Sequence, residues 1–299
     1  MFQCLRRALS PTLALAALVA AASSQAAEPI NIIWYGNSFT NATCCGGTAS
    51  VPAIFNAVAV AAGQPAPNNV NRSSNGQSLQ WHLTNNTAGI NGGISASDDW
   101  DYVVLQDFST MPTHIGNLSQ HLSSTLGMYN AVAARSPDVT PVLYETWARG
   151  PGHSFYTGGA PSFPGGPAQM QQELRDGYLA AQANINASAG AGTALVAPVG
   201  DAFEEMGFPL SLYAGDIYHA QNRGSLLATL VLYGTIYGDT TTSDIPLGSI
   251  LTSLNISTTD AAAIAAAADA VLAPVIPEPT SAAMALAVVG LSLARRRRG

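Results

Sequence analysis

Asn31-Ile32-Ile33-Trp34-Tyr35-Gly36-Asn37-Ser38-Phe39 passes from a short apolar run into a polar turn, and Val51 to Ala62 then follows with helical spacing. That change from a strand-like to a helix-like period repeats down the chain. Strand-like runs recur around Val70, at Tyr102 to Gln106, at Pro141 to Glu145 and at Ala194 to Ala197. Helical patterns cover Ser78 to Asn85, Asn117 to Ala134, Ala168 to Ala189 and Asn222 to Tyr237. Strand and helix in alternation predict an α/β fold whose parallel sheet is covered on both faces. The uninterrupted Val103-Val104-Leu105 suits a strand buried on both sides. No internal repeat is visible. Gly150 to Pro167, rich in Gly and Pro, is too long for an ordinary connection and is expected to form a functional loop or lid.

The 299 residues carry eleven Lys+Arg and eighteen Asp+Glu, a net charge of -7, and every cation is an arginine. Six of these, Arg6, Arg7 and Arg295 to Arg298, lie at the ends. Between Glu28 and Ile276 five arginines face seventeen acids, which leaves that stretch near -12. Such a surface repels phosphate backbones, which excludes nucleic acid or acidic lipid as the main partner. Charged residues make up 10% of the chain, against about 25% in an ordinary soluble protein, and Asn, Ser, Thr, Gly and Tyr supply the polarity. The interior of about 250 residues suffices for one large core or at most two small ones.

Met1 to Ala27 combines a basic start, the apolar stretch Leu13 to Ala22 and small residues at Ser24 and Ala26. This is the three-part plan of a secretory signal peptide, with cleavage expected after Ala26 or Ala27. At the other end Pro277-Glu278-Pro279 precedes the uncharged Thr280 to Ala294 and the arginine cluster. That apolar segment falls short of the roughly 20 residues of a comfortable span, so a permanent anchor is not expected. The cluster would stay on the cytoplasmic side during export. Residues 275–299 resemble the PEP-CTERM sorting signal of Gram-negative bacteria. The resemblance implies recognition by an exosortase in the inner membrane, removal of the tail after a transient membrane association, and release to the cell surface or matrix. Residues 28–257 are then the main domain. The alanine-rich 258–274 is a helix or spacer leading to the tail, or equally a helix packed on the domain.

Ligands of an open parallel sheet gather at the carboxyl ends of its strands. Four polar stretches stand there: Gly36-Asn37-Ser38-Phe39, Ser74-Asn75-Gly76-Gln77, Leu105-Gln106-Asp107-Phe108-Ser109 and, after an intervening segment, Gly215-Asp216-Ile217-Tyr218-His219. A serine hydroxyl needs a base to take its proton, and the base needs a partner to fix its tautomer. Ser38, His219 and Asp216 can fill these roles, because Asp and His three residues apart can meet within one turn. An acyl oxyanion then needs preorganised donors, for which the backbone N–H groups of Ser38 and Gly76 and the Gln106 amide are candidates. Glycine at 76 lets a backbone amide approach a substrate closely. Taken singly, Ser38 reads as a helix cap, Gly76 as a turn glycine and Gln106 as a buried amide tying loops together.

Together, Gly36-Asn37-Ser38-Phe39, a glycine some forty residues on, Trp100-Asp101-Tyr102-Val103-Val104-Leu105-Gln106 and Asp216-x-x-His219 with Gly224, Leu226 and Ala228 beyond resemble the SGNH, or GDSL-like, hydrolases. The likeness is to the branch that begins G-N-S-F, and it spans Asn31 to Gly238. It implies a three-layer α/β/α sandwich around a five-stranded parallel sheet of the flavodoxin-like kind, no metal or cofactor, and ester hydrolysis through an acyl-serine. Ser38 is the implied nucleophile, Asp216 and His219 complete the catalytic set, and Ser38, Gly76 and Gln106 form the oxyanion hole. Asn37 replaces the aspartate of the commoner G-D-S. The third motif lacks Gly-x-Asn-Asp, so its oxyanion role is carried onto Gln106. An α/β-hydrolase elbow, G-x-S-x-G, is ruled against because Thr40 stands where its second glycine belongs.

Asn37, Trp147, His153 and Tyr156 are the candidates for substrate contact, and the loop after Trp147 reads otherwise as one packed by its own aromatics. His82, His114, His121 and His153 lack ligand spacing. Asp98, Asp99 and Asp101 lack the calcium-loop pattern. Glu204 and Glu205 diverge as helix neighbours. Cys44 and Cys45, adjacent and close to Ser38 in sequence, leave a strained ring, an intermolecular link or two thiols open. The resulting expectation is an exported serine esterase that removes an acyl group, acetyl first, from carbohydrate. The alternatives are a lipase or thioesterase of small acyl esters and a catalytically idle polysaccharide-binding surface protein.

Overall fold

The computed structural model describes residues 28–273, so the expectations for 1–27 and 275–299 lie outside it. In chain order the elements are β1 (Asn31–Tyr35), α1 (Ser38–Asn41), α2 (Val51–Ala61), β2 (Asn68–Asn71), α3 (Leu79–Asn85), α4 (Ala88–Gly92), β3 (Tyr102–Leu105) and α5 (Leu118–Ala133). There follow β4 (Thr140–Tyr144), α6 (Gly166–Ala189), β5 (Leu195–Ala197), α7 (Val199–Glu205), α8 (Asn222–Tyr237), α9 (Gly248–Leu254) and α10 (Thr258–Leu272). All five strands pair in parallel in the order β2-β1-β3-β4-β5.

Strand periodicity accounts for the layers. Successive side chains of a strand point to opposite faces, and along β1 Ile32 and Trp34 enter one core while Ile33 and Tyr35 enter the other. The same division separates Val104, Val142 and Tyr144 from Val103, Leu105 and Leu143. Helices α2, α7, α8 and α10 fill the first side; α3, α5 and the C-terminal part of α6 fill the second. This is the expected three-layer α/β/α sandwich. Side-chain caps set several helix starts, with Ser50, Ser78 and Asn117 accepting from the N–H of Ala53, Trp81 and Gln120.

The alanine-rich segment proves to be helix α10 packed on the domain. Its Ala261, Ile264, Ala265, Ala267 and Ala268 are buried in the same core as α8. The short helices α1, α4 and α9 were not distinguished by pattern; α1 and α4, at four and five residues, hold too few turns to show a period. No helix among the described residues is long and apolar enough to cross a membrane.

The sheet order places the site. From β1 the chain first moves outward to β2, then returns to β3 on the other side, so the loops after β1 and β3 part and leave a crevice at the carboxyl edge.

Candidate active site

At the end of β1 the backbone turns sharply through Gly36, where a Cβ would come within 2.6 Å of Gln106 Oε1. Only glycine fits there. Asn37 then caps α1, its Oδ1 accepting from Phe39 N–H (3.1 Å) while its Nδ2 donates to Gln77 O (3.1 Å). The carbonyl of Gly36 receives a hydrogen bond from Nε2 of buried His82 (2.8 Å), whose Nδ1 accepts from Asn86 Nδ2 (2.9 Å). Burial holds the His82 pKa below the usual imidazole value, as this neutral donor-acceptor role requires. These bonds present Ser38 at the first position of α1.

Asp216 and His219 meet in one turn. Asp216 Oδ1 accepts from the backbone N–H of Tyr218 and His219 (3.0 Å each), and its Oδ2 lies 2.6 Å from His219 Nδ1. Between them Ile217 adopts φ 56°, a left-handed conformation that is costly for a β-branched residue and typical of constrained sites. Three bonds pin the turn to the segment after β4: Trp147 Nε1 donates to Tyr218 O (2.9 Å), Gly150 N to Ile217 O (2.8 Å) and Tyr213 Oη to Ala148 O (3.0 Å). Burial alone would raise the Asp216 carboxyl. The bonds from His219 and from the two backbone N–H groups outweigh it and hold the group below the ordinary carboxylate range.

His219 Nε2 is 2.8 Å from Ser38 Oγ. A carboxylate can only accept, so Nδ1 carries the ring proton and Nε2 is free to accept from the serine hydroxyl. The arrangement can take the Ser38 proton onto His219 while Asp216 stabilises the resulting imidazolium.

Beside Ser38 lies a cavity of about 60 Å³ lined by Asn37, Ser38, Phe39, Gly76, Phe108, Ser109, Arg149 and Tyr218. The backbone N–H groups of Ser38 and Gly76 donate to no described residue, as an oxyanion pair should. Gly76 has φ 73°, and a Cβ added there would meet nothing within 4 Å. The positive φ favours glycine there, and the open space beside it leaves the amide accessible from the cavity.

Other expectations are corrected. Gln106 is wholly buried; its Oε1 accepts from Asn37 N–H and Thr40 Oγ1 (2.9 Å each) and its Nε2 donates to Asp107 O. It ties the β1 and β3 loops together and cannot touch a substrate. Trp147 is buried between Phe39 and Phe203, each ring 4.4 Å away, so it is a core residue. Tyr156 turns its hydroxyl inward to Arg149 O (2.9 Å). His153 accepts from Phe155 N–H (3.1 Å) and packs on that ring, and neither His153 nor Tyr156 lines the cavity. The loop is thus packed by its own aromatics around buried Phe163.

No protein-family model and no curated protein matches the sequence. Solved structures do. A protein from Slackia heliotrinireducens assigned to the SGNH hydrolases superposes with a TM-score of 0.52 at 24% identity, over 70% of this chain and 100% of that one. A DUF4886 family protein from Bacteroides uniformis gives 0.59 at 16% identity, over 83% and 96%. A family 3 carbohydrate esterase of Clostridium thermocellum gives 0.50 at 16%, over 76% and 99%. The fold is that of the SGNH hydrolases.

On this SGNH fold one cavity residue escaped sequence reasoning altogether. Arg149, 6% exposed, donates from Nη2 to Ser109 Oγ (2.9 Å) and lies over the Tyr218 ring with its Cζ 4.1 Å from the centroid. Its signal was a lone cation just beyond β4 in a lysine-free, acidic chain. Close to His219, Cys44 and Cys45 are joined in a disulfide, which decides among the three states left open. Their sulfurs and a ring nitrogen of His219 lie within 4.8 Å of one another.

Proposed function

We propose that the protein is an exported serine ester hydrolase that works through an acyl-serine intermediate and removes small acyl groups, acetyl first, from carbohydrate. The observation that carries the hydrolase reading is the Ser38–His219–Asp216 relay, opening onto a cavity with two unengaged backbone N–H groups. His219 takes the hydroxyl proton as Ser38 attacks the ester carbonyl, the N–H groups of Ser38 and Gly76 hold the oxyanion, and His219 returns the proton to the leaving alcohol. Water then repeats the cycle on the acyl-serine. A cavity of about 60 Å³ beside Ser38 suits a short acyl group such as acetyl.

The carbohydrate assignment draws support from the family 3 carbohydrate esterase among the fold relatives and from the export signals in the sequence. Export, recognition of the tail by an exosortase and release to the surface or matrix rest on residues 1–27 and 275–299. Hydrolysis of 4-nitrophenyl acetate by the mature domain, against the same protein carrying Ser38→Ala, tests the reaction. A phosphonofluoridate adding its mass at Ser38 tests the nucleophile. Equal rates for the two proteins would return the idle binding protein as the better reading. Acetate release from a panel of acetylated polysaccharides tests the sugar, and an intact Arg295 to Arg298 tail on the secreted protein would contradict the sorting step.

A further inference from the structure

Arg149 is the only buried arginine among the described residues, and its charge has no partner there. Arg135, Arg175 and Arg223 each pair with an Asp or Glu, and half-buried Arg72, which has no carboxylate within 4.0 Å, bonds to Asn86 Oδ1, whereas Arg149 is both buried and without a carboxylate within 4.0 Å. Its Nη1 is buried without any hydrogen-bond partner. What surrounds the guanidinium is aromatic: Tyr218 at 4.1 Å, Phe39 at 5.6 Å and Phe155 at 5.7 Å. Rings and one serine hydroxyl compensate a buried cation only in part. Burial accordingly lowers the Arg149 pKa to about 10. A buried charge with no carboxylate in contact, Asp216 acting on it only from beyond 4.0 Å, on the wall of the cavity that holds the nucleophile, marks the place where a ligand brings the opposite charge.

We propose, resting on the ester-hydrolase reading, that Arg149 determines specificity: its guanidinium binds a carboxylate carried by the substrate within a few atoms of the scissile ester. The shape of the group selects that anion. A guanidinium is a planar fork suited to two oxygens in a plane, and the single oxyanion of the reaction already has two backbone N–H groups. The small cavity keeps ester and carboxylate close together. The selectivity is local, because the negative charge of the rest of the chain is screened beyond about 8 Å at physiological salt. The substrate class is therefore acylated hydroxy acids, including acidic sugars, in preference to neutral esters.

The test compares acetoxyacetate with acetoxyacetamide, which share one ester and one shape and differ in charge. Acetate release by the native protein should favour the anion by about 10- to 100-fold in kcat/KM, the range of a charge-assisted hydrogen bond. In Arg149→Met that ratio should collapse toward one, and Arg149→Lys, which keeps the charge without the fork, should retain part of it. A ratio unchanged in Arg149→Met would overturn the proposal, whether both rates fall together, as for an oxyanion donor, or neither falls. Calorimetric binding of both compounds to the non-reacting Ser38→Ala protein supplies a readout without turnover. Tighter binding of acetoxyacetate there, lost when Arg149→Met is added, supports the carboxylate site even if the hydrolase reading fails. Equal binding of the two compounds would sink it.

Discussion

Ser38 Oγ and His219 Nε2 stand 2.8 Å apart although 181 residues separate them in the chain. The contact is held from both sides, by the capped turn after β1 and by the bonded turn around Asp216, so it does not depend on a substrate to form. Ser38→Ala should therefore remove ester hydrolysis by about 10³-fold or more while leaving the melting temperature nearly unchanged. Asp216→Asn should lower kcat by a similar order, because an amide can donate to Nδ1 and so favour the wrong tautomer. Steady-state rates and thermal melts on the same preparations check both outcomes.

Gly76 offers a sharper test of the oxyanion pair. Because an added Cβ meets no protein atom within 4 Å, any loss of stability in Gly76→Ala comes from the backbone at φ 73° and not from a clash. Gly76→Ala should cost about 1 kcal/mol of stability and at least tenfold in kcat as the N–H swings away. Asn tolerates the left-handed region better. Gly76→Asn should consequently recover much of both, and a valine the least. A flat series in kcat would mean that the Gly76 N–H takes no part.

The parts of this site that were legible in the sequence are those whose roles are local. Asp216 and His219 meet within one turn, and Ser38 follows directly on β1, so strand ends and short spacings suffice to find them. Gln106 follows β3 just as Ser38 follows β1, yet its side chain points under the loop to Asn37 and Thr40, a direction no spacing reveals. Trp147 has the composition of a sugar-stacking residue. Its burial is decided by Phe203 and Phe39, which reach it from distant segments. Arg149 was missed for the same reason, since its setting is assembled from Ser109, Phe155 and Tyr218. The fold was easier, because the two-residue period of the strands and the spacing of the helices repeat often enough to outweigh any single misreading.

Glu145, just beyond β4, sits behind the site and takes no part in it. Burial, and then the nearby Asp201 carboxylate, push its pKa well above the ordinary glutamate value. The folded protein thus keeps a proton that the unfolded chain releases above about pH 4.3. Stability tied to this group falls as pH rises from there toward the folded pKa. Glu145→Gln keeps the acceptor for Gln171 Nε2, now 2.6 Å from Glu145 Oε1, and removes the titration. Its melting temperature should match the native protein near pH 4 and exceed it by roughly 2–4 °C at neutral pH. A gap that closes as pH rises would contradict this.

The Cys44–Cys45 disulfide lies so near His219 that all three can offer ligand atoms within 4.8 Å of one another. While the bond is intact the sulfurs have no thiolate to give. A phosphine with water converts the disulfide to two thiols and the phosphine oxide, and Zn²⁺ can then displace two protons and bind both sulfurs. A third ligand bond from His219 would take the base away from Ser38. Micromolar Zn²⁺ should accordingly inhibit ester hydrolysis after phosphine treatment, with activity restored by a chelator, and have little effect on the oxidised protein. A protein carrying Cys44→Ser and Cys45→Ser should be indifferent to the phosphine and resistant to the metal. Inhibition of equal strength in the oxidised protein, or in the double serine variant, would show that zinc acts elsewhere.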